Sequence, residues 1–382
     1  MSTFRLPQDL ERAPRQVGAS ERTAPPPRPR AEEDEAAARW RPTPAMLPRT
    51  RPPPHPACLR WAVNISRWHP SDDHDGPEFR FLLALLPEHE REECLRFRFM
   101  DDKKRALVSR LMQRAACARV AGVPHADVLL RRTKGKKPFF AWTEMAGFDA
   151  DAAGFGAAPN FNFNVSHEGA FVVLASEPVA IVGVDVAAPG QLRDRNRRGA
   201  ARSVAETVSA FRDTLSAAET SAILRAPGAT EAEKEDAFRR HWSCKEALTK
   251  AMGVGLGMEL KRASFTFAKR AEENAYDAAV EVDGAPKPKW RFRTERVDDA
   301  DDVDAHHWIT TARGPTEDVT DALGAFTRTW RAPNVGREDD AAWRAVVDAP
   351  APPFSVLAVG DLVPSEALDA FERVGGEVFG RR

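Results

Sequence analysis

The sequence predicts a chain of mixed helix and sheet, with one long central helix preceded and followed by strands. Three observations carry this reading. Thr230 with Glu233 three residues on is a capping box, and the helix it opens runs through Met252 to a stop at Gly253. Residues 160–166 alternate, turn through His167-Glu-Gly-Ala170 and resume at residues 171–175, a hairpin pattern with Gly169 in the turn. Residues 263–267, 278–282, 289–294 and 307–311 are strand-like, so the chain beyond the helix is mostly sheet.

Composition narrows the class. A chain of 382 residues that is 42% apolar is long enough for about two domains with a real core. Lys plus Arg number 56 against 57 Asp plus Glu, which argues against a coat for nucleic acid or anionic membrane. Cys58, Cys94, Cys117 and Cys244 lie far apart, without zinc spacing or a disulfide framework, and suit a reducing compartment. No apolar run approaches the roughly 18 residues of a membrane span, and no secretory leader opens the chain. A soluble cytoplasmic protein is expected.

Residues 1–57 form a Pro/Arg-rich arm. Thirteen of the 30 prolines precede Ala57, and few large apolar residues accompany them, so disorder is expected. The Arg and Ala content also fits organelle import, but the acidic run at 32–35 does not.

In residues 58–158, a first strand is expected at 59–65, a short apolar segment at 80–86, and an amphipathic helix capped by Asp101 and stopped by Gly122. Leu107, Val108, Leu111, Met112, Ala115 and Ala116 repeat on its apolar face, and Arg105 and Arg110 read as surface charge. The run Arg131-Arg-Thr-Lys-Gly-Lys-Lys137-Pro138 places five cations around Gly135. It is no Walker A loop, and it fits phosphates, a nucleic-acid patch or a solvated loop equally well.

Residues 159–313 hold the remaining chemistry. Ser166 and His167 adjoin in a strand and therefore point to opposite faces, which argues against a nucleophile and base pair. His167 reads as a ligand contact or a hydrogen-bonded structural histidine. Asp185 ends the mostly apolar strand 179–186, where it needs a cation or serves as a turn residue. Glu246 and Lys250 share one face of the central helix, with Trp242 a turn before them; a solvated salt bridge would give the same spacing. Gly253-Val-Gly-Leu-Gly257 follows a helix and is no dinucleotide fingerprint. In residues 314–382, 354–359 is a candidate last strand.

In order and wording, Asn164-Val-Ser-His167, Val182-Gly-Val-Asp185 and Trp242-Ser-Cys-Lys-Glu246-Ala-Leu-Thr-Lys250 resemble the 4'-phosphopantetheinyl transferases of the surfactin-synthetase-activating type, and within them the eukaryotic aminoadipate-semialdehyde dehydrogenase subgroup. The resemblance covers residues 59–313. It implies a pseudo-twofold α+β monomer of two similar halves with the active site between them, and transfer of phosphopantetheine from coenzyme A to a serine of an apo acyl or peptidyl carrier protein. By matching position it assigns Mg2+ to Asp185 and Glu246. Coenzyme A falls to Arg132, Lys136, Lys137, Asn164, Val165, Ser166 and His167, with Arg105 a further phosphate contact and Lys250 facing the pyrophosphate. Where many members carry a third metal carboxylate this chain has Ala187, and Glu168 is expected to supply the missing charge. Two rivals are an RNA or nucleotide binder using the basic run with Phe139 and Phe140 for stacking, and a silent relative that binds coenzyme A or carrier without catalysis.

Overall fold

The computed structural model describes residues 53–153, 155–190, 203–271, 274–299, 302–335 and 340–376; most of the Pro/Arg arm lies outside them. The expected first strand is β1 (Arg60–Asn64). The apolar segment that follows is helical, α1 (Pro77–Ala84), with Pro77 in the first turn where no backbone N–H is needed. After α2 (Glu88–Leu95) comes α3 (Met100–Ala121), stopped at Gly122 in the left-handed region as expected.

Two expectations for α3 are corrected. Its N-cap is Phe99, and Asp101 lies inside the first turn, where its charge suits the helix dipole. Arg110 is not surface charge: it is 3% exposed and pairs with Glu93. Arg114 likewise grips Glu90 at 3.1 Å, so the polar positions of α3 fasten α2 to it. Leu107, Val108, Leu111 and Met112 are fully buried with Phe79 and Leu82 of α1 in the first core.

The basic run folds as the short ribbon β2 (Leu130–Arg132) and β3 (Pro138–Phe140). The hairpin is β4 (Asn162–Glu168) and β5 (Phe171–Glu177), followed by β6 (Ile181–Ala187). Then come α4 (Val204–Ala210), α5 (Ala217–Leu224) and the long α6 (Glu231–Met252), whose Thr230–Glu233 capping box is present as read. Strands β7 (Ala263–Lys269), β8 (Ala275–Val282), β9 (Ala285–Pro286), β10 (Arg291–Asp299) and β11 (Asp302–Gly314) follow, then α7 (Asp340–Val347), β12 (Ser355–Leu357) and α8 (Ser365–Arg373).

One sheet has the order β12-β1-β5-β4, with β12 parallel to β1; the other runs β6-β11-β10-β8-β7, antiparallel throughout, with β9 on β8. The second core lies between α6 and this larger sheet, around Cys244, Ala247, Leu248, Phe265 and Phe292. The last strand expected at 354–359 is β12. It covers the outer edge of β1, and Phe371 of α8 stacks on Phe81 at 4.1 Å. From Pro54 onward the chain is one compact unit. Among the described residues no helix is long and apolar enough to cross a membrane.

The edges of the two sheets, β4 and β6, meet through side chains rather than a backbone ladder. Strand geometry puts residues 160, 162, 164, 166 and 168 on one face, and each of the five bonds to the segment 179–188. Asn160 Nδ2 donates to the Val179 carbonyl at 3.3 Å and Asn162 Nδ2 to the Ala180 carbonyl at 2.8 Å. The Val182 and Val184 amides donate to the Asn162 and Asn164 side-chain oxygens at 2.9 and 3.0 Å. Ser166 Oγ donates to Asp185 Oδ1 at 3.0 Å, and the Ala188 amide to Glu168 Oε2 at 2.7 Å. Edge amides that would otherwise be buried without partners are thereby satisfied.

Candidate functional site

The site lies at the end of this seam, where α6 crosses β6. Gly183 makes the crossing close: a Cβ there would stand 2.0 Å from the Ala247 carbonyl oxygen. The tight seating brings Lys250 Nζ to 2.5 Å from Asp185 Oδ1 and to 2.8 Å from Ser166 Oγ. Asp185, Ser166 and Lys250 therefore form a closed triangle of charge-assisted bonds. Asp185 is 5% exposed, and the cation that its strand position calls for is Lys250. Burial works against the Lys250 charge, but Asp185 and Glu246 hold the ammonium above its ordinary range.

Glu246, one turn before Lys250, is half-buried, and its carboxylate accepts no hydrogen bond among the described residues. Burial pushes its carboxyl up; Lys250 opposes the shift and the Asp185 charge adds to it. Glu168 Oε2 accepts from the Ala188 amide, and burial pushes its carboxyl up to about 8, with the Asp185 charge adding and the Ala188 bond and Lys250 opposing. Among the described residues no group of three or more His, Cys, Asp or Glu is arranged to hold a metal ion. His167, on the opposite face from Ser166, is pushed down to about 4 by burial, with Lys250 and Arg105 adding, and is neutral at pH 7. Val165 is half-buried on that same opposite face and pairs with Leu174 of β5.

The basic run divides in two. Arg132 and Lys136 are exposed, and the Arg132 guanidinium reaches the Lys136 carbonyl at 3.3 Å. Lys137 instead points inward at 3% exposure, donating to the Val182 carbonyl at 2.6 Å and the Lys250 carbonyl at 3.1 Å. Gly135 serves packing: a Cβ would stand 1.9 Å from the Gly253 carbonyl oxygen, so the glycine admits the turn after α6. The stacking pair of the RNA-binding reading is absent, since Phe139 and Phe140 are both buried in cores. Arg105 donates to the Gly169 carbonyl at 3.1 Å and to Asp102 at 2.7 Å, and so clamps the turn that follows Glu168. The Asn164 side-chain oxygen accepts from the Val184 amide at 3.0 Å.

Sequence reasoning passed over Lys245. It faces away from the site and meets Glu219 at 2.8 Å, with both side chains fully buried, tying α5 to α6. The signal was position: a residue adjacent to Glu246 lies about 100° around the helix, toward the core.

This chain matches two family descriptions in succession: "4'-phosphopantetheinyl transferase, N-terminal" over residues 66–179 and "4'-phosphopantetheinyl transferase superfamily" over residues 181–312. It is 34% identical over 248 residues to a phosphopantetheinyl transferase of Thraustochytrium sp., covering 64% of this chain and 77% of that protein. It is 29% identical over 265 residues to the L-aminoadipate-semialdehyde dehydrogenase-phosphopantetheinyl transferases of Mus musculus and Homo sapiens, covering 66% of this chain and 74% of each. The chain is a group-transfer enzyme of mixed helix and sheet. The chain belongs to the 4'-phosphopantetheinyl transferase superfamily.

Proposed function

We propose that this transferase moves the phosphopantetheine arm of coenzyme A onto a serine of an apo carrier protein, releasing adenosine 3',5'-bisphosphate. The observation that supports this most directly is the Asp185–Ser166–Lys250 triangle with the unbonded Glu246 beside it, two carboxylates and an ammonium at the mouth of a seam between two sheets. The two similar halves then meet between β5 and β6, where the two sheets part, with the substrates between them in a monomer.

The donor set fits a hard divalent cation. Asp185 and Glu246 are oxygen ligands, the Glu246 carboxylate has no donor among the described residues, and Mg2+ is usually held by one or two carboxylates with substrate phosphates completing its shell. Asp185 and Glu246 would hold it, and Glu168, whose Oε2 accepts from the Ala188 amide, would add its charge through the other carboxylate oxygen or a water. When bound, the ion would neutralise charge on the pyrophosphate oxygens.

The protein's own groups account for the rest. Glu246, its basicity raised by burial, accepts the serine proton directly or through one water. The serine oxygen then forms a bond to the β-phosphorus as the bond to the bridging oxygen breaks, and the electron pair leaves on the bisphosphate. Lys250 donates to that departing oxygen. Neutral His167 and the exposed Arg132 and Lys136 hold the remaining phosphate of the cosubstrate, and Lys137 supports the loop from inside.

The test is direct. Incubated with coenzyme A, Mg2+ and an apo carrier domain, the full chain should add the mass of one phosphopantetheine to the carrier and release adenosine 3',5'-bisphosphate. A carrier of unchanged mass would overturn the reading.

A further inference from the structure

Resting on the assignment of Asp185 and Lys250 to the reaction, we infer that Asn162 is a positioning residue, which sets the active geometry by holding β6 against β4. The β4–β6 seam has no backbone ladder, so the placement of Asp185 depends on side chains. Asn162 makes the most complete rung. It accepts from the Val182 amide at 2.9 Å and donates to the Ala180 carbonyl at 2.8 Å and to the Asn160 carbonyl at 3.0 Å. At 1% exposure, three of the four bonds a primary amide can form are made within the protein.

The rungs are ordered by distance from the chemistry. Asn164 binds Val184, next to Asp185; Asn162 binds Val182, three residues away; Asn160 binds Val179 and, through Ala332, the C-terminal segment. Val182 is also the residue whose carbonyl takes Lys137 Nζ, which in turn reaches the last turn of α6 at Lys250. Asn162 and Lys137 thus hold the amide and the carbonyl of one β6 residue, and that residue is tied both to β4 and to the helix carrying Lys250. A slip at Val182 moves Asp185 relative to Ser166 and Lys250 together.

Position-dependent loss of turnover separates this role from plain stabilisation. Asn160→Ala, Asn162→Ala and Asn164→Ala are compared as folded full-length proteins, well below their unfolding temperatures, for kcat and for the KM of coenzyme A in carrier loading. Expected is a kcat loss that grows toward Asp185: within twofold for Asn160→Ala and about 10-fold or more for Asn162→Ala, with KM within about twofold for both. If Asn162→Ala does not fold, Asn162→Ser, which retains one donor and acceptor, should show a smaller loss of the same kind. Wild-type kcat in a folded Asn162 variant, or equal losses at positions 160 and 162, overturns the inference. Asp185→Ala is measured alongside. If it keeps full activity, the assignment of the site fails; if it is inactive while the Asn162 variants are normal, the positioning role alone fails.

Discussion

Lys250 Nζ reaches Asp185 Oδ1 at 2.5 Å on one side of α6, while Lys245, five residues earlier, is sealed against Glu219 at 2.8 Å on another. The first contact borders the half-buried Glu246; the second joins α5, α6 and β7, with Lys245 also donating to the Ala263 carbonyl and Glu219 accepting from the Phe265 amide at 3.0 Å. One helix thus carries two lysine–carboxylate pairs of different purpose.

Substitution should separate them. Lys245→Ala leaves the Glu219 carboxylate buried without its partner, and such a loss costs about 3–5 kcal/mol. A clear fall in the denaturant midpoint is expected, with little loss of turnover in the protein that remains folded. Lys250→Ala should lower turnover about 10² to 10³-fold, and because it leaves the buried Asp185 without its cation it should also lower the midpoint, though less, since Lys250 is partly open to solvent. Unfolding and carrier-loading assays on both variants check this; an unchanged midpoint in Lys245→Ala would remove its structural role.

The buried Lys137 gives stability a pH signature. Burial pushes its ammonium from 10.5 down to about 7. Between those values the unfolded chain binds more protons than the folded one, so the Lys137 contribution rises with pH from about 7 to 10.5 and is flat below. Lys137→Met should lose that slope. Subtracting its unfolding free energy from the wild-type value across pH 6 to 10 should give a difference that climbs above about pH 7. A difference independent of pH would place the Lys137 charge in solvent.

Much of this was legible in the chain because it is local. The Thr230 capping box, the Gly253 stop and the hairpin around Gly169 each depend on residues within a few positions of one another, and all three are present. What was not legible is the identity of the partner across a fold. The alternation of Asn160, Asn162 and Asn164 is plain in the sequence, yet its meaning requires β6 alongside. The basic run likewise announces charge without saying that Lys137 turns inward onto Val182, or that Gly135 admits Gly253. Arg110 read as surface because nothing local to it shows that α2 covers it.

Chelation and one substitution examine the metal assignment. Carrier loading should cease in excess EDTA and return with Mg2+. Glu168→Gln should raise the Mg2+ concentration for half-maximal rate, because Glu168 interacts with Asp185 and its bond to the Ala188 amide uses only Oε2. An unchanged concentration would exclude Glu168 from the metal site.

The most demanding prediction concerns Glu246. Its carboxylate is raised by burial and by Asp185 and has no donor among the described residues, so it can take a proton and also serve as a metal ligand. Glu246→Gln keeps the shape and removes both capacities, and turnover should fall by several orders of magnitude, about 4 kcal/mol or more of lost transition-state stabilisation. Stability should hold or rise, because burial, with Asp185 adding, disfavours the Glu246 charge more than Lys250 favours it, while the Asp185–Lys250 pair remains. Single-turnover loading by mass spectrometry, with unfolding measured in parallel, checks both halves of the prediction. Near wild-type loading by a folded Glu246→Gln protein would move proton acceptance to another group.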